Sequence, residues 1–210
     1  MSAPAYTPPY TGDLEAVAAT LGRGGVALVS TDTVYGLAAL PSEPEGVDRL
    51  FAIKNRPRTQ LLPVMVSDPE DVFGIGGVRT DIAERLIASG WMPGALTLVV
   101  ELDPARRAPW LGEREELGFR VPASEPLLAL LRATGPLYVT SANAHGQPTQ
   151  GSAEAVVASL GHPPDIVWDF GETGPVASTI VNCREGHYGI LREGAVPTVA
   201  IEEWIGHGFG

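Results

Sequence analysis

Apolar residues recur along the chain with two spacings, which predict alternating helices and strands. Leu14, Val17, Ala18 and Leu21 share one helix face, and this pattern stops at Gly24-Gly25. Short apolar runs predict strands over 26–30, 62–66, 95–101, 118–121, 137–140, 166–170, 178–182 and 188–192. Further helices are predicted around Leu50, over 80–89, after Ser124 and Ser152, and after a capping box at 67–70. Because no helix separates the last two predicted strands, the sheet is expected to be mixed.

The 210 residues are enough for one α/β domain with a sizeable core. Residues 1–12 are rich in proline and have no apolar period, so they are interpreted as a flexible N-terminal arm. Residues 13–210 are interpreted as a single domain, since no linker or internal repeat interrupts them.

Composition excludes several classes of protein. A net charge of −11 argues against a protein whose main function is binding the phosphate backbone of a nucleic acid. A single cysteine, Cys183, excludes an internal disulfide and zinc sites built on several thiolates. No apolar run of about 18 residues and no secretory signal is present, so a cytoplasmic location without membrane contact is expected. No metal site is predicted, and the one lysine has no P-loop around it.

Cations are nevertheless concentrated in one segment. From residue 49 to residue 67 there is no acid, and Arg49, Lys54, Arg56 and Arg58 all lie there. Lys54 is the only lysine of the chain, a compact charge where arginine is otherwise used. These cations either bind phosphates or are solvated charges at a helix end.

Two other polar segments follow predicted strands. Residues 30–36 read S-T-D-T-V-Y-G, and residues 138–143 read Y-V-T-S-A-N. Open α/β sheets bind ligands at the carboxyl ends of their strands, but Ser, Thr, Asp and Asn also build ordinary turns. The local sequence leaves both interpretations open for each segment.

The order of the motifs resembles the YrdC family, in the short, single-domain form of its threonylcarbamoyl-AMP synthases. These motifs are S-T-D-T-V-Y-G-L, F-A-I-K-N-R-P, P-G-A-L-T, F-R-V-P, T-S-A-N, S-T-I-V and I-L-R-E-G, spread over residues 24–194. The resemblance implies a twisted mixed β-sheet surrounded by helices, with a deep cationic cleft. It also implies synthesis of L-threonylcarbamoyl-adenylate and pyrophosphate from L-threonine, bicarbonate or CO2, and ATP with Mg²⁺.

The resemblance further implies roles for individual residues. Its catalytic tetrad falls on Lys54, Arg56, Ser141 and Asn143. ATP binding is implied for Lys54, Arg56, Arg58, Asn143 and Arg192, and threonine binding for Thr31, Arg120, Thr140, Ser141 and Ser178. One departure is Gln60-Leu61, where the family commonly has a basic residue or histidine followed by Pro or Gly.

The implied product would be consumed by a partner complex that makes the t6A nucleoside in tRNA. The chain itself is expected to meet tRNA at most indirectly. An alternative of another class is an RNA-binding or ribosome-assembly module that uses the same cleft, and the acidic net charge argues against it.

Overall fold

The computed structural model describes residues 7–143, 147–171, 173–185 and 187–206. The strands are β1 Ala27–Val29, β2 Gly36–Ala39, β3 Val64–Met65, β4 Leu96–Glu101, β5 Glu116–Arg120, β6 Leu137–Ser141, β7 Ile166–Trp168, β8 Thr179–Asn182 and β9 Gly189–Arg192. The helices are α1 Leu14–Leu21, α2 Pro44–Lys54, α3 Pro69–Gly74, α4 Asp81–Ile87, α5 Glu125–Thr134, α6 Ala153–Ser159 and α7 Thr198–Gly206. A short 3₁₀ helix spans Pro109–Leu111.

The expected single domain over 13–210 comprises two compact units. The first unit consists of Met1–Leu61 and Tyr138–Pro175, and the second of Leu62–Leu137 and Val176–Gly210.

In the first unit, β1 pairs with β2 antiparallel and with β7 parallel, and β2 pairs with β6 antiparallel. Leu28, Leu37 and Leu50 are fully buried in its core. The parallel pairing sets Val29 opposite Trp168, so the carboxyl ends of β1 and β7 lie at the same edge. This register positions the polar segment that follows β1.

In the second unit, β5 pairs with β3 parallel and with β4 antiparallel, while β8 pairs with β4 parallel and with β9 antiparallel. Leu96, Leu98 and Phe119 form the fully buried centre of this unit. Parallel and antiparallel pairs therefore occur in both units, which confirms the predicted mixed α/β class.

The structure differs from the predicted elements at three places. Strand β2 was not predicted, because Gly-Leu-Ala-Ala shows no alternation and is buried at every position. Helix α7 was not predicted, because Ile201 is its one fully buried residue. The capping box of α3 lies one residue later than predicted: Asp68 is the N-cap and Asp71 completes the box. The helices expected after Ser124 and Ser152 are confirmed, and of these two serines only Ser152 caps its helix with its side chain.

The described part of the N-terminal arm is paired with β7. The N–H of Thr11 donates to Val167 O, and the N–H of Val167 donates to Pro9 O, both at 2.9 Å. Residues 9–11 therefore extend beside this strand, while residues 1–6 of the predicted arm lie outside the described residues. Among the residues described, no helix has the length and apolar character needed to cross a bilayer.

Candidate active site

The side chain of Lys54 is buried at the end of helix α2. The helix stops because Asn55 adopts a left-handed conformation with φ of 48°. Only 2% of Lys54 is exposed, and its Nζ donates to Ser141 O, to Asn143 O at 2.9 Å and to Asn143 Oδ1 at 3.2 Å. An ammonium has three protons, so these three oxygens satisfy it fully.

Asn143 is itself held at both ends of its amide. Its Oδ1 also accepts from Ser141 Oγ at 2.6 Å, and its Nδ2 donates to Gln147 O. We call Lys54, Arg56, Ser141 and Asn143 the ammonium cluster. The folded chain thus brings together residues that lie 87 to 89 positions apart, and their catalytic role stays a prediction.

Arg56 is the second cation of the ammonium cluster. Its Nε donates to Gln60 O at 3.2 Å and its Nη2 to Leu61 O at 2.9 Å. Gln60 and Leu61 are the pair that differs from the common family pattern. Their backbone carbonyls orient the Arg56 guanidinium, and this contact does not depend on their side chains.

The electrostatics of the ammonium cluster favour an anion. Burial, and to a smaller extent the positive charge of Arg56, lower the pKa of Lys54 to about 8. Burial also lowers the pKa of Arg56. Within the part of the chain that the structure describes, no acid forms an ion pair with either cation. Two partly desolvated cations side by side gain most from an anionic ligand.

The other two arginines of the cationic segment are paired with acids. Arg58 binds Asp48 at 2.6 Å, with most of both side chains exposed, and Arg49 binds Asp165 at 2.7 Å. The absence of acids from 49 to 67 was thus a poor guide to the charge around them, because the partners lie just before the segment and far along the chain. The ion pair with Asp48 neutralises Arg58, the third cation that the resemblance assigned to ATP.

Residues 30–35, which we call the hydroxyl turn, link β1 to β2. Thr31 Oγ1 donates to Val34 O at 2.7 Å and accepts from the N–H of Thr33 at 3.1 Å. Both threonines are almost fully buried. Thr31 therefore closes the turn, as the structural interpretation of this segment predicts, and its role in threonine binding stays a prediction. Thr140, the neighbouring predicted residue, is buried in β6 opposite Leu37.

In the second unit, Ser178 and Arg192 are brought together. Arg192 donates from Nη2 and Nε to Ser178 O, at 2.6 and 3.2 Å, and Ser178 Oγ lies 2.7 Å from Thr97 Oγ1. Burial lowers the pKa of Arg192. Gly194 permits this arrangement, because a Cβ there would lie 2.2 Å from Ala177 O.

Arg120 lies on β5 in the same unit and is 5% exposed. Its Nε donates to Gly94 O at 2.8 Å, and the N–H of Gly94 donates to Val121 O. A backbone carbonyl thus orients this guanidinium, and the role of Arg120 in threonine binding stays a prediction.

Comparison with known proteins places the chain in a family. The family model for Sua5, YciO and YrdC, described as telomere recombination, matches residues 19–194. The chain belongs to this Sua5–YciO–YrdC family.

Named relatives of this family are similar over most of the chain. Threonylcarbamoyl-AMP synthase of Bacillus subtilis strain 168 is 33% identical over 192 residues, 90% of this chain and 55% of the relative. Threonylcarbamoyl-AMP synthase of Xanthomonas campestris pv. campestris strain B100 is 35% identical over 192 residues, 88% of this chain and the whole of that relative. The chain therefore spans about half of the first relative and the full length of the second.

Solved structures of the Sua5–YciO–YrdC family share the fold. The crystal structure of Pyrococcus abyssi Sua5 complexed with L-threonine superposes with a TM-score of 0.83 at 28% identity, covering 96% of this chain and 61% of that one. YciO of E. coli, at 23% identity and a TM-score of 0.77, supports the fold alone.

Two contacts made by residues of the candidate site could not be predicted from the sequence. Thr97 lies within the P-G-A-L-T motif, but its contact with Ser178 crosses 81 residues. The carbonyl of Tyr35, in the hydroxyl turn, accepts from the N–H of Ala142 at 2.7 Å. Both residues were in motifs, and only the strand pairing revealed which partners they meet.

Proposed function

We propose that the chain is an L-threonylcarbamoyladenylate synthase, a nucleotidyltransferase that acts on L-threonine, bicarbonate or CO2, and ATP. The observation that carries this proposal is the ammonium cluster, in which Lys54 is buried against Ser141 and Asn143 with Arg56 beside it. Named relatives with this activity support it.

The reaction balances without a covalent intermediate on the protein. The amine of threonine attacks CO2 and loses a proton, which gives an N-carboxylate. An oxygen of that carboxylate attacks the α-phosphorus of ATP, and the bond to pyrophosphate breaks. The protein has to bring two anions together and stabilise the charge on the phosphates, which is a matter of position and electrostatics.

Lys54 and Arg56 supply positive charge for the phosphates. Because the three protons of Lys54 Nζ already meet oxygens of residues 141 and 143, this ammonium acts through its charge, or it exchanges one oxygen for a phosphate. An adjacent phosphate favours the charged form and would raise the lowered pKa of Lys54 again. Ser141 and Asn143 are neutral, so they would orient substrate groups without repelling either anion.

The remaining substrate contacts are proposed from the family resemblance. Arg120 would pair with the carboxylate of threonine, and Ser178 and Thr31 with its polar groups, while Arg192 would contact the nucleotide. Mg²⁺ would enter as part of the substrate, bound to the phosphates of ATP. We propose that the adenylate is passed on in the cytoplasm to an enzyme that transfers the threonylcarbamoyl group to tRNA.

Pyrophosphate release tests the proposal directly. The purified chain is incubated with ATP, Mg²⁺ and bicarbonate, and with each amino acid in turn. We expect release that depends on threonine and bicarbonate. Serine, which lacks one methyl group, should be used about 10- to 200-fold less efficiently. Equal release without any amino acid would contradict the proposal.

A further inference from the structure

The carboxylate of Asp169, at the carboxyl end of β7, accepts three hydrogen bonds on a single oxygen. Its Oδ1 accepts from Ser30 Oγ at 2.7 Å, from Tyr35 Oη at 3.1 Å and from the N–H of Gly171 at 3.2 Å. Asp169 is exposed, whereas Ser30 and Tyr35 are 1% and 3% exposed. Three donors on one oxygen suit an ionised carboxylate, because hydrogen bonds to a charged acceptor are about twice as strong as neutral ones.

Two of these donors stand at the two ends of the hydroxyl turn. Ser30 immediately precedes Thr31, and Tyr35 immediately precedes Gly36, where β2 begins. The interior of the turn packs closely as well, because a Cβ on Gly174 would lie 3.0 Å from Thr33 O. Asp169 therefore holds both ends of the segment that contains Thr31.

Tyr35 also connects Asp169 with the ammonium cluster. The Tyr35 carbonyl accepts from the N–H of Ala142 at 2.7 Å, and Ala142 lies between the two residues that bind Lys54 Nζ. One tyrosine thus links the carboxylate, the hydroxyl turn and the Ser141–Asn143 segment within the first unit.

We propose that Asp169 is a positioning residue of the synthase site. Through Ser30 and Tyr35 it fixes the hydroxyl turn, and through the Tyr35 carbonyl it fixes Ser141 and Asn143 around Lys54. This inference rests on the proposed function. Asp169 lies outside the sequence motifs that carry the family resemblance, and none of the roles implied by that resemblance falls on it. Burial raises the pKa of Tyr35 to about 12, and its hydrogen bond to Asp169 acts in the same direction, so the hydroxyl stays a donor over the working pH range.

The chain contains a matched control for this carboxylate. Asp165 and Asp169 stand at opposite ends of β7, and both link it to the region of β1. Asp165 Oδ2 accepts from the N–H of Val26, and its Oδ1 binds Arg49, both at 2.7 Å. Asp165 contacts neither the hydroxyl turn nor Ser141–Asn143 in these bonds, so replacing it disturbs the same strand without disturbing the proposed positioning.

The test compares Asp169→Ala, Asp169→Asn, Tyr35→Phe and Asp165→Asn by steady-state pyrophosphate release and by melting temperature. We expect Asp169→Ala to lower kcat/KM for threonine by about 10- to 100-fold, the range that a small misplacement of reacting groups costs. Asp169→Asn keeps a hydrogen-bond acceptor but loses the negative charge, and Tyr35→Phe loses one donor. Each of these two variants should lower kcat/KM for threonine by about 3- to 10-fold. Asp165→Asn should lower the melting temperature while leaving kcat/KM within about twofold of the wild type.

Two results would overturn the assignment while leaving the function intact: an active wild type with Asp169→Asn and Tyr35→Phe both unchanged, or an equal loss in Asp165→Asn. An equal loss would mean that stability of β7, rather than the turn, controls the rate. A wild type without threonine-dependent release would overturn the proposed function and this assignment with it. Should Asp169→Ala fail to fold, Asp169→Asn and Tyr35→Phe decide the question.

Discussion

The two units hold their candidate cations in different ways. In the first unit, oxygens from residues 141 and 143 surround the ammonium of Lys54, whose lowered pKa of about 8 lets it lose its proton in mildly alkaline solution. In the second unit, the backbone carbonyls of Gly94 and Ser178 orient the guanidiniums of Arg120 and Arg192, which keep their charge at any working pH. The first unit therefore offers a compact, titratable charge for phosphates, and the second offers permanent, planar donors suited to carboxylates and phosphates.

The largest effect should come from Lys54. We expect Lys54→Ala and Lys54→Arg each to lower kcat/KM for ATP by about 10²-fold or more, the cost of losing one preorganised charge-stabilising donor. Arginine should not rescue the site, because a planar guanidinium cannot direct its donors to three oxygens placed around one nitrogen. Pyrophosphate release measures both variants.

The control for Lys54 is Arg49→Ala, on the same helix. Arg49 forms an ion pair with Asp165 on the surface, so its loss should leave kcat/KM within about twofold. Near-wild-type activity of Lys54→Arg would show that Lys54 is an ordinary helix-end charge and would remove the contrast between the units.

Arg120 tests the second unit. Arg120→Ala should raise KM for threonine by about 10-fold or more and KM for ATP much less, since its guanidinium is assigned to a carboxylate. Arg106→Ala is the matched control, because Arg106 also donates to a backbone carbonyl, that of Phe73 at 3.1 Å, without an assigned substrate. The opposite order of the two KM effects would assign Arg120 to the nucleotide.

The titration of Lys54 gives a pH dependence that the arginines should not show. Above about pH 8 the free enzyme loses this charge, so kcat/KM for ATP should fall about tenfold per pH unit.

The same titration affects stability. Burial lowers the pKa of Lys54 in the folded chain below the ordinary value of 10.5, so between pH 8 and 10.5 Lys54 is protonated in the unfolded chain and neutral in the folded chain. The free energy of unfolding should therefore rise with pH over this window, by up to about 3 kcal/mol.

Urea unfolding of wild type and Lys54→Met at several pH values separates this contribution from those of other groups. The difference between the two proteins should change in favour of the wild type as the pH rises from 8. A difference that does not depend on pH would mean that Lys54 titrates at its ordinary value.

The smallest effect should come from Arg58, the exposed arginine beside the ammonium cluster. Because Asp48 already neutralises it, Arg58→Ala should change KM for ATP less than about threefold and stability by less than about 1 kcal/mol. A rise in KM comparable to that of Arg56→Ala would show that Arg58 leaves Asp48 for the phosphates.

Local sequence predicted most of the elements because their signals are local. The starts of α5 and α6 and the strands of the core follow from residue types and spacing within a few residues. Strand β2 was not predicted in this way, because its residues are buried at every position and show no alternation of apolar and polar side chains. The candidate residues Lys54, Ser141 and Asn143 were found because they stand in motifs, although their mutual contacts were not visible in the sequence.

The sequence by itself determined the α/β class, the family and the residue types available for the site. Only the tertiary structure decided which groups meet: Lys54 with the oxygens of residues 141 and 143, and Asp169 with Ser30 and Tyr35, 139 and 134 residues away. It also decided that Arg58 and Arg49 are paired while Lys54 and Arg56 are bound by neutral oxygens. The physical reason is that the pairing of β1 with β7 and of β2 with β6 sets these distances, and such register depends on burial across the whole unit rather than on neighbours in sequence.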